Sequence, residues 1–287
     1  MAFNSFKKLL FGFAFSPSLK ANVFEVTRLA SFLEASLVFV HVGEKTTEKE
    51  TLFNAILEEC PDKPKNVELH WKTGNPVETL IKICQTFEID LLLLGALKRE
   101  KMLKYYLGSI ARQITRKAPC SVLLMLNPSI IRQPCKYIVV NGFDSPQTQD
   151  TIEAAFEMGQ ALKAEKLTLV EEISEARVAI AVNDDRSLRK ATLRKEKINR
   201  EEKMRVHDVI DKIPAHKLEG MNWSTQSIFG RRGYSIGHYA RVVRADLLVM
   251  NAQEKTSFFR RFFPKDLEHI LAELPTDVLI VLSKNNG

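Results

Sequence analysis

Histidine and cysteine side chains are the first candidates for chemistry in this 287-residue chain, because they bind metals, move protons and form redox pairs. The six histidines lie at positions 41, 70, 207, 216, 238 and 269, without an HExxH motif. The four cysteines lie at positions 60, 84, 120 and 135, without CxxC spacing. The chain also lacks a complete P-loop. The sequence therefore predicts no catalytic residues, no metal site and buried, reduced cysteines.

An internal repeat with an offset of 156 residues determines which elements position any other site. The segment Asp90–Gly95, with sequence DLLLLG, returns as Asp246–Asn251, with sequence DLLVMN. The same offset relates Ala118–Leu123 to Leu274–Leu279. A repeat at constant spacing indicates copies of one structural unit. The chain is therefore predicted to contain two copies of one unit.

The length suits this interpretation, because soluble domains usually contain about 100–200 residues. We expect domain 1 over residues 1–130 and domain 2 over residues 131–287, with a basic helical insertion near residues 183–215. No run approaches the ~18 apolar residues of a membrane span, so the chain is predicted to be soluble and cytoplasmic. The apolar start at residues 6–15 has a counterpart at residues 136–143, which favours a strand over a signal peptide.

Both copies alternate apolar, often β-branched runs with segments of helical period, which is typical of β-α units around a mostly parallel sheet. In the first copy the predicted strands are residues 8–15, 36–42, 66–71, 90–95 and 121–125. The predicted helices between them are residues 19–35, 48–60, 77–87 and 109–117. In the second copy the predicted strands are residues 136–143, 166–171, 221–228, 245–250 and 277–282. Five strands with four crossovers predict a doubly wound sheet in each copy.

Several motifs of the first copy match a known family. They are the Gly74-Asn-Pro start of the third helix, the strand Asp90–Gly95, the Gly108-Ser109 pair before the last helix and the segment Ala118–Leu123. In these motifs the chain resembles the universal stress protein family, as a tandem pair of its domains. The resemblance implies an α/β fold of two tandem Rossmann-like domains, each a five-stranded, mostly parallel sheet flanked by helices. It also implies an internal pseudo-dimer through the last strands of each domain.

The resemblance further implies a candidate nucleotide site in the first copy. ATP-binding members carry Gly-x2-Gly-x9-Gly-(Ser/Thr) after the fourth strand, and the corresponding residues here are Gly95, Lys98, Gly108 and Ser109. Phosphates need a loop of small residues and a helix N-terminus, so Lys98 is a departure from the pattern. Ala14 replaces the acidic residue that the family places at the end of the first strand. Two interpretations stay open: the glycines permit tight turns only, or the first copy binds ATP or another adenine nucleotide.

The second copy departs further from that pattern. Asn251, Glu254 and Pro264-Lys265 stand at the corresponding positions. Proline lacks an N–H group, and Asp266 places a carboxylate in the first turn of the helix, where phosphate would bind. The sequence therefore predicts no nucleotide in the second copy.

Positive charge is concentrated in the predicted insertion. The chain has a net charge of +7 and a pI near 9.1, and residues 186–205 hold nine Lys or Arg residues against three Glu. Such a helix either is simply solvated or holds acidic lipid, nucleic acid or a partner protein; its ion pairs favour solvation. The run Phe258–Phe263 is predicted to plug the loop region or cover the seam between the copies, with a membrane or partner patch as the alternative.

These features favour a non-enzymatic binding or regulatory module in the stress response, with a protein partner. The first alternative is a nucleotide sensor that binds one ATP in domain 1, with or without slow hydrolysis. The second is a membrane- or transporter-associated regulatory protein, although a membrane partner is not favoured. No motif supports sequence-specific nucleic acid binding.

Overall fold

The first half of the chain alternates strands and helices, as predicted. The computed structural model describes residues 5–98, 105–231, 233–252 and 265–283. The strands of the first half are β1 (Lys8–Phe13), β2 (Ser36–Val42), β3 (Val67–Lys72), β4 (Leu91–Gly95), β5 (Leu97–Lys98), β6 (Tyr105–Tyr106) and β7 (Ser121–Met125). Its helices are α1 (Leu19–Phe32), α2 (Thr47–Glu58), α3 (Pro76–Thr86) and α4 (Ser109–Lys117).

The second half repeats this order and adds the predicted helical insertion. Its strands are β8 (Tyr137–Asn141), β9 (Lys166–Ser174), β10 (Asn222–Gly230), β11 (Leu247–Asn251) and β12 (Asp277–Val281). Its helices are α5 (Thr148–Leu162), α6 (Glu175–Val178), α7 (Asp185–Ile210), α8 (Ala215–Leu218), α9 (Tyr234–Val242) and α10 (Lys265–Ala272). The long helix α7 lies inside the region predicted as the insertion.

Ten strands from both halves form one continuous sheet. Its order is β10-β9-β8-β11-β12-β7-β4-β1-β2-β3, and β5 and β6 form a separate two-stranded ribbon. The pairs within each half are parallel, whereas β7 and β12 pair antiparallel, with Leu123 opposite Leu279. The predicted α/β class and the predicted pairing of the last strands are therefore confirmed. The antiparallel pairing is the arrangement expected of an internal pseudo-dimer.

The apolar character of the central strands follows from helices that cover both faces of the sheet. All residues of β7, and Leu91–Leu94 of β4, are buried. Parallel strands covered on both faces need such continuous apolar runs, because no face is left for polar side chains. Each fully buried leucine contributes about 1.5–3 kcal/mol of transfer free energy. Among the described residues, no helix combines the length and the apolarity needed to cross a membrane.

The repeated aspartates have a structural role. Asp90 Oδ2 accepts hydrogen bonds from the backbone N–H groups of Lys7 and Lys8, at 3.2 and 3.0 Å. Asp246 Oδ2 accepts the equivalent bonds from Lys136 and Tyr137, at 2.7 and 2.9 Å. Each carboxylate thus satisfies donors at the start of the first strand of its half, which accounts for an Asp at this position in both copies.

A second pair of corresponding residues ties the halves together. Ser121 Oγ accepts a hydrogen bond from Leu282 N at 3.0 Å, and Asp277 Oδ1 accepts one from Leu126 N at 2.8 Å. Both pairs are related by the 156-residue offset, because 121 + 156 = 277 and 126 + 156 = 282. The Ser121 hydroxyl and the Asp277 carboxylate therefore accept equivalent backbone N–H bonds, each from the opposite half.

Candidate functional site

The four predicted site residues lie between the carboxyl end of β4 and the first residue of α4. Gly95 ends β4, Lys98 lies in β5, Gly108 precedes α4 and Ser109 begins it. The ribbon pairs Leu97 with Tyr106, and it lies in the chain between the end of β4 and the start of α4. The Lys98 side chain, and residues 99–104 between the two ribbon strands, lie outside the described residues.

A buried asparagine faces the backbone at Gly95. A Cβ atom at Gly95 would lie 3.2 Å from Asn22 Oδ1, so a side chain here would crowd this amide. Asn22 is 8% exposed, and its Nδ2 donates to the backbone oxygen of Ser18 at 2.9 Å. Its Oδ1 is buried and has no hydrogen-bond partner. Since a buried unsatisfied acceptor costs about 1–3 kcal/mol, this position suits a bound donor. Sequence reasoning missed Asn22, because an asparagine inside a helix carries no distinctive signal.

The start of α4 has the electrostatic character of an anion site. Its N-cap, Gly108, has no side chain, and the first turn contains no acidic residue. Unpaired N–H groups and the helix dipole make such an end attractive to anions. In contrast, the start of α3 is satisfied by its own cap, because Asn75 Oδ1 accepts from the Val77 and Glu78 N–H groups at 2.9 and 3.3 Å.

Aromatic side chains fill the carboxyl ends of β1, β2 and β3. Phe15 stacks on Trp71 with ring centroids 6.0 Å apart, and Phe13 stacks on Phe53 at 4.7 Å. His41 is 8% exposed, and its Nδ1 lies 3.0 Å from the backbone oxygen of Phe13. Rings at these separations leave no slot for a further planar group between them. Ala14, at the predicted position of the missing acid, is exposed beside this aromatic cluster.

In the second half, the position corresponding to Gly95 is filled by a side chain. Asn251, at the end of β11, is 7% exposed, and its Nδ2 donates to Ser145 Oγ at 2.8 Å. A side-chain amide bonded to Ser145 therefore stands at the end of β11, where β4 ends in a glycine. The other residues at corresponding loop positions, Glu254 and Pro264, lie outside the described residues, as do the Asp266 side chain and the run Phe258–Phe263.

The inserted helix α7 covers the carboxyl end of β8. Arg205 Nη2 donates to the backbone oxygen of Gly142 at 2.6 Å, and its Nε donates to Glu202 Oε2 at 2.9 Å. Glu202 also pairs with Arg177 at 2.6 Å. This ionic chain anchors a helix that otherwise buries few residues, namely Ala191, Ile198, Val206 and Ile210. The basic composition of the insertion predicted a charged helix but not this contact, which depends on tertiary proximity.

Two consecutive glutamates complete the polar edge of the second half. Glu171 is 2% exposed and accepts a hydrogen bond from Ser227 Oγ at 3.0 Å, while its Oε1 has no partner. Burial raises the pKa of the Glu171 carboxyl, and the Ser227 bond and the Arg205 charge oppose this shift. Glu172 accepts from the N–H groups of Gly233 and Ile236, each at 2.8 Å. A carboxylate of the chain itself therefore occupies the anion position at the start of α9.

Among the residues that the structure describes, no three His, Cys, Asp or Glu side chains are arranged as a metal site. The two halves thus differ at their carboxyl edges. The first half keeps an uncapped helix start beside Gly95, whereas the second half fills its edge with Asn251, Arg205 and Glu172.

The sequence of the first half and the fold of the whole chain are similar to those of known proteins. Residues 26–125 match the model of the universal stress protein family. The chain is similar to the structure of a universal stress protein from Archaeoglobus fulgidus DSM 4304, with TM-score 0.65, 15% identity, and coverage of 97% of this chain and 99% of that one. It is also similar to a protein of unknown function from Pseudomonas aeruginosa PAO1, with TM-score 0.67, 14% identity, and coverage of 96% and 92%.

A third similar structure is the cytoplasmic domain of a prokaryotic cation chloride cotransporter. Its TM-score is 0.54 at 14% identity, with coverage of 98% of this chain and 97% of that one. At these identities the structural matches show a shared fold. No curated protein sequence matches the chain.

Proposed function

We propose that this chain is a non-enzymatic binding or regulatory module in a stress response, because residues 26–125 match the universal stress protein family and the whole chain shares its fold with the structure of a universal stress protein. We further propose that residues 1–130 and 131–287 are its two domains. The observation that carries the functional proposal is that the protein's own side chains fill most of the carboxyl edge, where ligands bind in open α/β sheets. The aromatic cluster fills the first half at β1–β3, and Asn251 with Arg205 fills the second half.

Small molecules released from the denatured, purified protein test this proposal directly. We expect mass spectrometry to find no stoichiometric nucleotide, and we expect ATP turnover no faster than that of a heat-inactivated sample. Turnover that exceeds this background and is lost in the Gly108→Asp variant would show that the protein is an enzyme. Stoichiometric nucleotide without turnover would replace the ligand-free module by a nucleotide sensor.

A nucleotide sensor is the second candidate, because the start of α4 is uncapped and the unpaired Asn22 Oδ1 faces the backbone at Gly95. In this alternative, domain 1 binds one adenine nucleotide through the backbone at Gly95 and Gly108, with Lys98 and Ser109 at the phosphates. Domain 2 binds none, because the Asn251 side chain, bonded to Ser145, stands where domain 1 has Gly95. The expected stoichiometry is at most one nucleotide per chain.

Calorimetric titration with ATP and a matched pair of variants distinguishes these outcomes. Gly108→Asp adds bulk and negative charge at the helix start, so it should abolish binding in the sensor alternative. Asp266→Asn, at the start of the corresponding helix of domain 2, should leave binding unchanged. Two equivalent sites per chain, or binding that survives Gly108→Asp, would place the ligand elsewhere.

Association with a membrane or transporter is the third candidate, and exposed apolar side chains on α7 favour it. Leu188, Leu193 and Met204 are 53%, 56% and 60% exposed on a helix with nine Lys or Arg residues between positions 186 and 205. Apolar side chains among cations suit an anionic lipid surface. Cosedimentation with vesicles of anionic phospholipid tests this candidate, and loss of binding in Leu193→Glu would support it. Equal recovery with neutral vesicles would count against it.

A further inference from the structure

A cavity between the two halves lies away from the carboxyl edge just described. Its volume is about 570 Å³, which is within the range of small-molecule sites. It opens where α1 and α5 approach the seam, and the connection between β7 and β8 passes over it. Its apolar lining comes from both halves, with Leu29, Leu123, Met125, Met158 and Leu247.

The charged lining of this cavity is entirely acidic. Glu25, Asp246 and Asp277 line it, and among the described residues no Lys, Arg or His side chain does. Glu25 pairs with Arg28 at 2.9 Å, so its charge is compensated. The charges of Asp246 and Asp277 meet only backbone N–H groups in the hydrogen bonds described above. This acidic lining contrasts with the net charge of +7 of the whole chain.

Comparison of the two halves indicates that the charges of Glu25 and Asp277 are not needed for the fold, whereas Asp246 has a charged counterpart in Asp90. Ser121 holds the N–H of Leu282 as Asp277 holds the N–H of Leu126, so a neutral hydroxyl is sufficient for this contact. Helices α1 and α5 begin at the corresponding residues Leu19 and Thr148, a spacing of 129 residues. At that spacing Ala154 corresponds to Glu25, and both carboxylates therefore have neutral counterparts.

The space in the cavity also comes from a difference between corresponding residues of the two halves. With the same spacing, Phe6 corresponds to Cys135, which lines the cavity. Phe6 is 1% exposed and packs into the core, whereas Cys135 is much smaller. A small residue thus leaves space on one side of the seam that an aromatic ring fills on the other. The space beside Cys135 and the carboxylates of Asp246 and Asp277 therefore belong to one cavity.

We propose that this cavity binds a small organic ammonium ion, with its charged nitrogen near Asp246 and Asp277 and its apolar body against the Leu and Met side chains. Attraction of a cation to two carboxylates, and burial of an alkyl chain, supply the free energy. The site lies in a different region from the nucleotide candidate, and it remains whether or not a nucleotide binds at the carboxyl edge.

The electrostatic state of Asp277 supports the assignment. Burial, together with the neighbouring carboxylates of Glu25 and Asp246, raises the pKa of the Asp277 carboxyl to about 7, against the lowering effect of the Leu126 N–H bond. The groups that surround it are Glu25 with Arg28 on α1, Asp246 before β11, and the Cys135 thiol, whose pKa burial raises to about 12. An ammonium ion would relieve this repulsion, so binding should be stronger at pH 8 than at pH 5.5.

The test uses n-hexylammonium as the probe and the full chain as the protein. Calorimetry at pH 8 should give one saturable site per chain, and 1-hexanol and hexanoate should bind at least about tenfold more weakly, because neither carries a positive charge. Equal binding of hexanol would reduce the site to a hydrophobic cavity and overturn the proposal. Absence of a saturable hexylammonium signal would also overturn it.

Three variants locate the site and separate charge from volume. Asp277→Ser copies Ser121, so it should fold and yet weaken hexylammonium binding about tenfold or more. Cys135→Phe copies Phe6 and should remove binding by filling the cavity. Glu165→Gln is the control, because Glu165 pairs with Lys136 outside the cavity and its loss should leave binding unchanged. If Asp277→Ser, shown by circular dichroism to be folded, binds as the wild type does, the proposal is wrong.

Discussion

Replacement of Asp277 by serine should stabilise the protein, and the gain should depend on pH. Burial raises the pKa of this carboxyl to about 7 in the folded protein, from an ordinary value of 3.8. Between these values the folded protein keeps a proton that the unfolded chain has released, so stability falls as pH rises through this window. Above pH 7 the stability no longer falls with pH through this group. Serine retains an acceptor for the Leu126 N–H and removes the charge, so the variant escapes this loss.

The magnitude follows from the pKa shift. The rise of the Asp277 pKa from 3.8 to about 7 corresponds to an upper limit of about 4 kcal/mol in unfolding free energy at pH 8. The side chain is only partly buried, so solvent screening reduces the expected gain to about 1–2 kcal/mol. pH 5 lies only about a third of the way from the unfolded-state pKa to the folded-state pKa. The expected gain in unfolding free energy at this pH is therefore about 0.5 kcal/mol.

Urea denaturation followed by circular dichroism at pH 5 and pH 8 measures this difference. The matched control is Ser121→Ala, which removes the corresponding acceptor without a change in charge. Its destabilisation should be the same at both pH values. If Asp277→Ser is less stable than the wild type at pH 8, or if its effect is equal at both pH values, the account of this carboxylate is refuted.

Three further predictions concern the seam and the second half. A fragment ending at Asn127 exposes the edge of β7, so it should dimerise or aggregate in light scattering after gel filtration; a strictly monomeric fragment would contradict the pairing argument. Arg205→Ala should lower the free energy of unfolding by about 1–3 kcal/mol, because the oxygen of Gly142 and the Glu202 carboxylate lose a charged partner. This loss should be greater at pH 8 than at pH 5, since burial raises the pKa of the Glu171 carboxyl, and a pH-independent loss would be evidence against that coupling. Asn251→Ala should cost about 1 kcal/mol in the same assay, and no loss would show that its bond to Ser145 is unimportant.

The sequence predicted the order of strands and helices because strands covered on both faces must be apolar. β4 and β7 are short runs of this kind, so their limits were evident from side-chain type. β1 ends at Phe13, earlier than the predicted Phe15, because Phe15 leaves the sheet to stack on Trp71. An aromatic residue extends an apparent strand pattern even when it packs beyond the strand.

The polar parts of the second half could not be predicted in the same way. β9 continues to Ser174, beyond the predicted Glu171, because Glu171 and Glu172 pair in register with Ser227 and Ile228 of β10. Charged residues at a strand end indicate a loop unless their partners are known. The hydroxyl of Ser227 and the charge of Arg205 act on Glu171, and both come from elements far away in sequence. The same limit applies to Asn22, whose proximity to Gly95 follows from the packing of α1 rather than from a motif.

The antiparallel junction of β7 and β12 also affects how the two halves can evolve. In a dimer of identical chains, each substitution at a two-fold interface appears twice, so a carboxylate introduced on one side faces its own copy on the other. Covalent linkage removes this constraint, because each substitution occurs once. The pair Ser121 and Asp277 illustrates the result, since a neutral and a charged residue hold the same backbone position on opposite sides of one seam. Two halves in one chain can therefore carry different charges on the two sides of their interface, which a two-fold dimer of identical chains cannot.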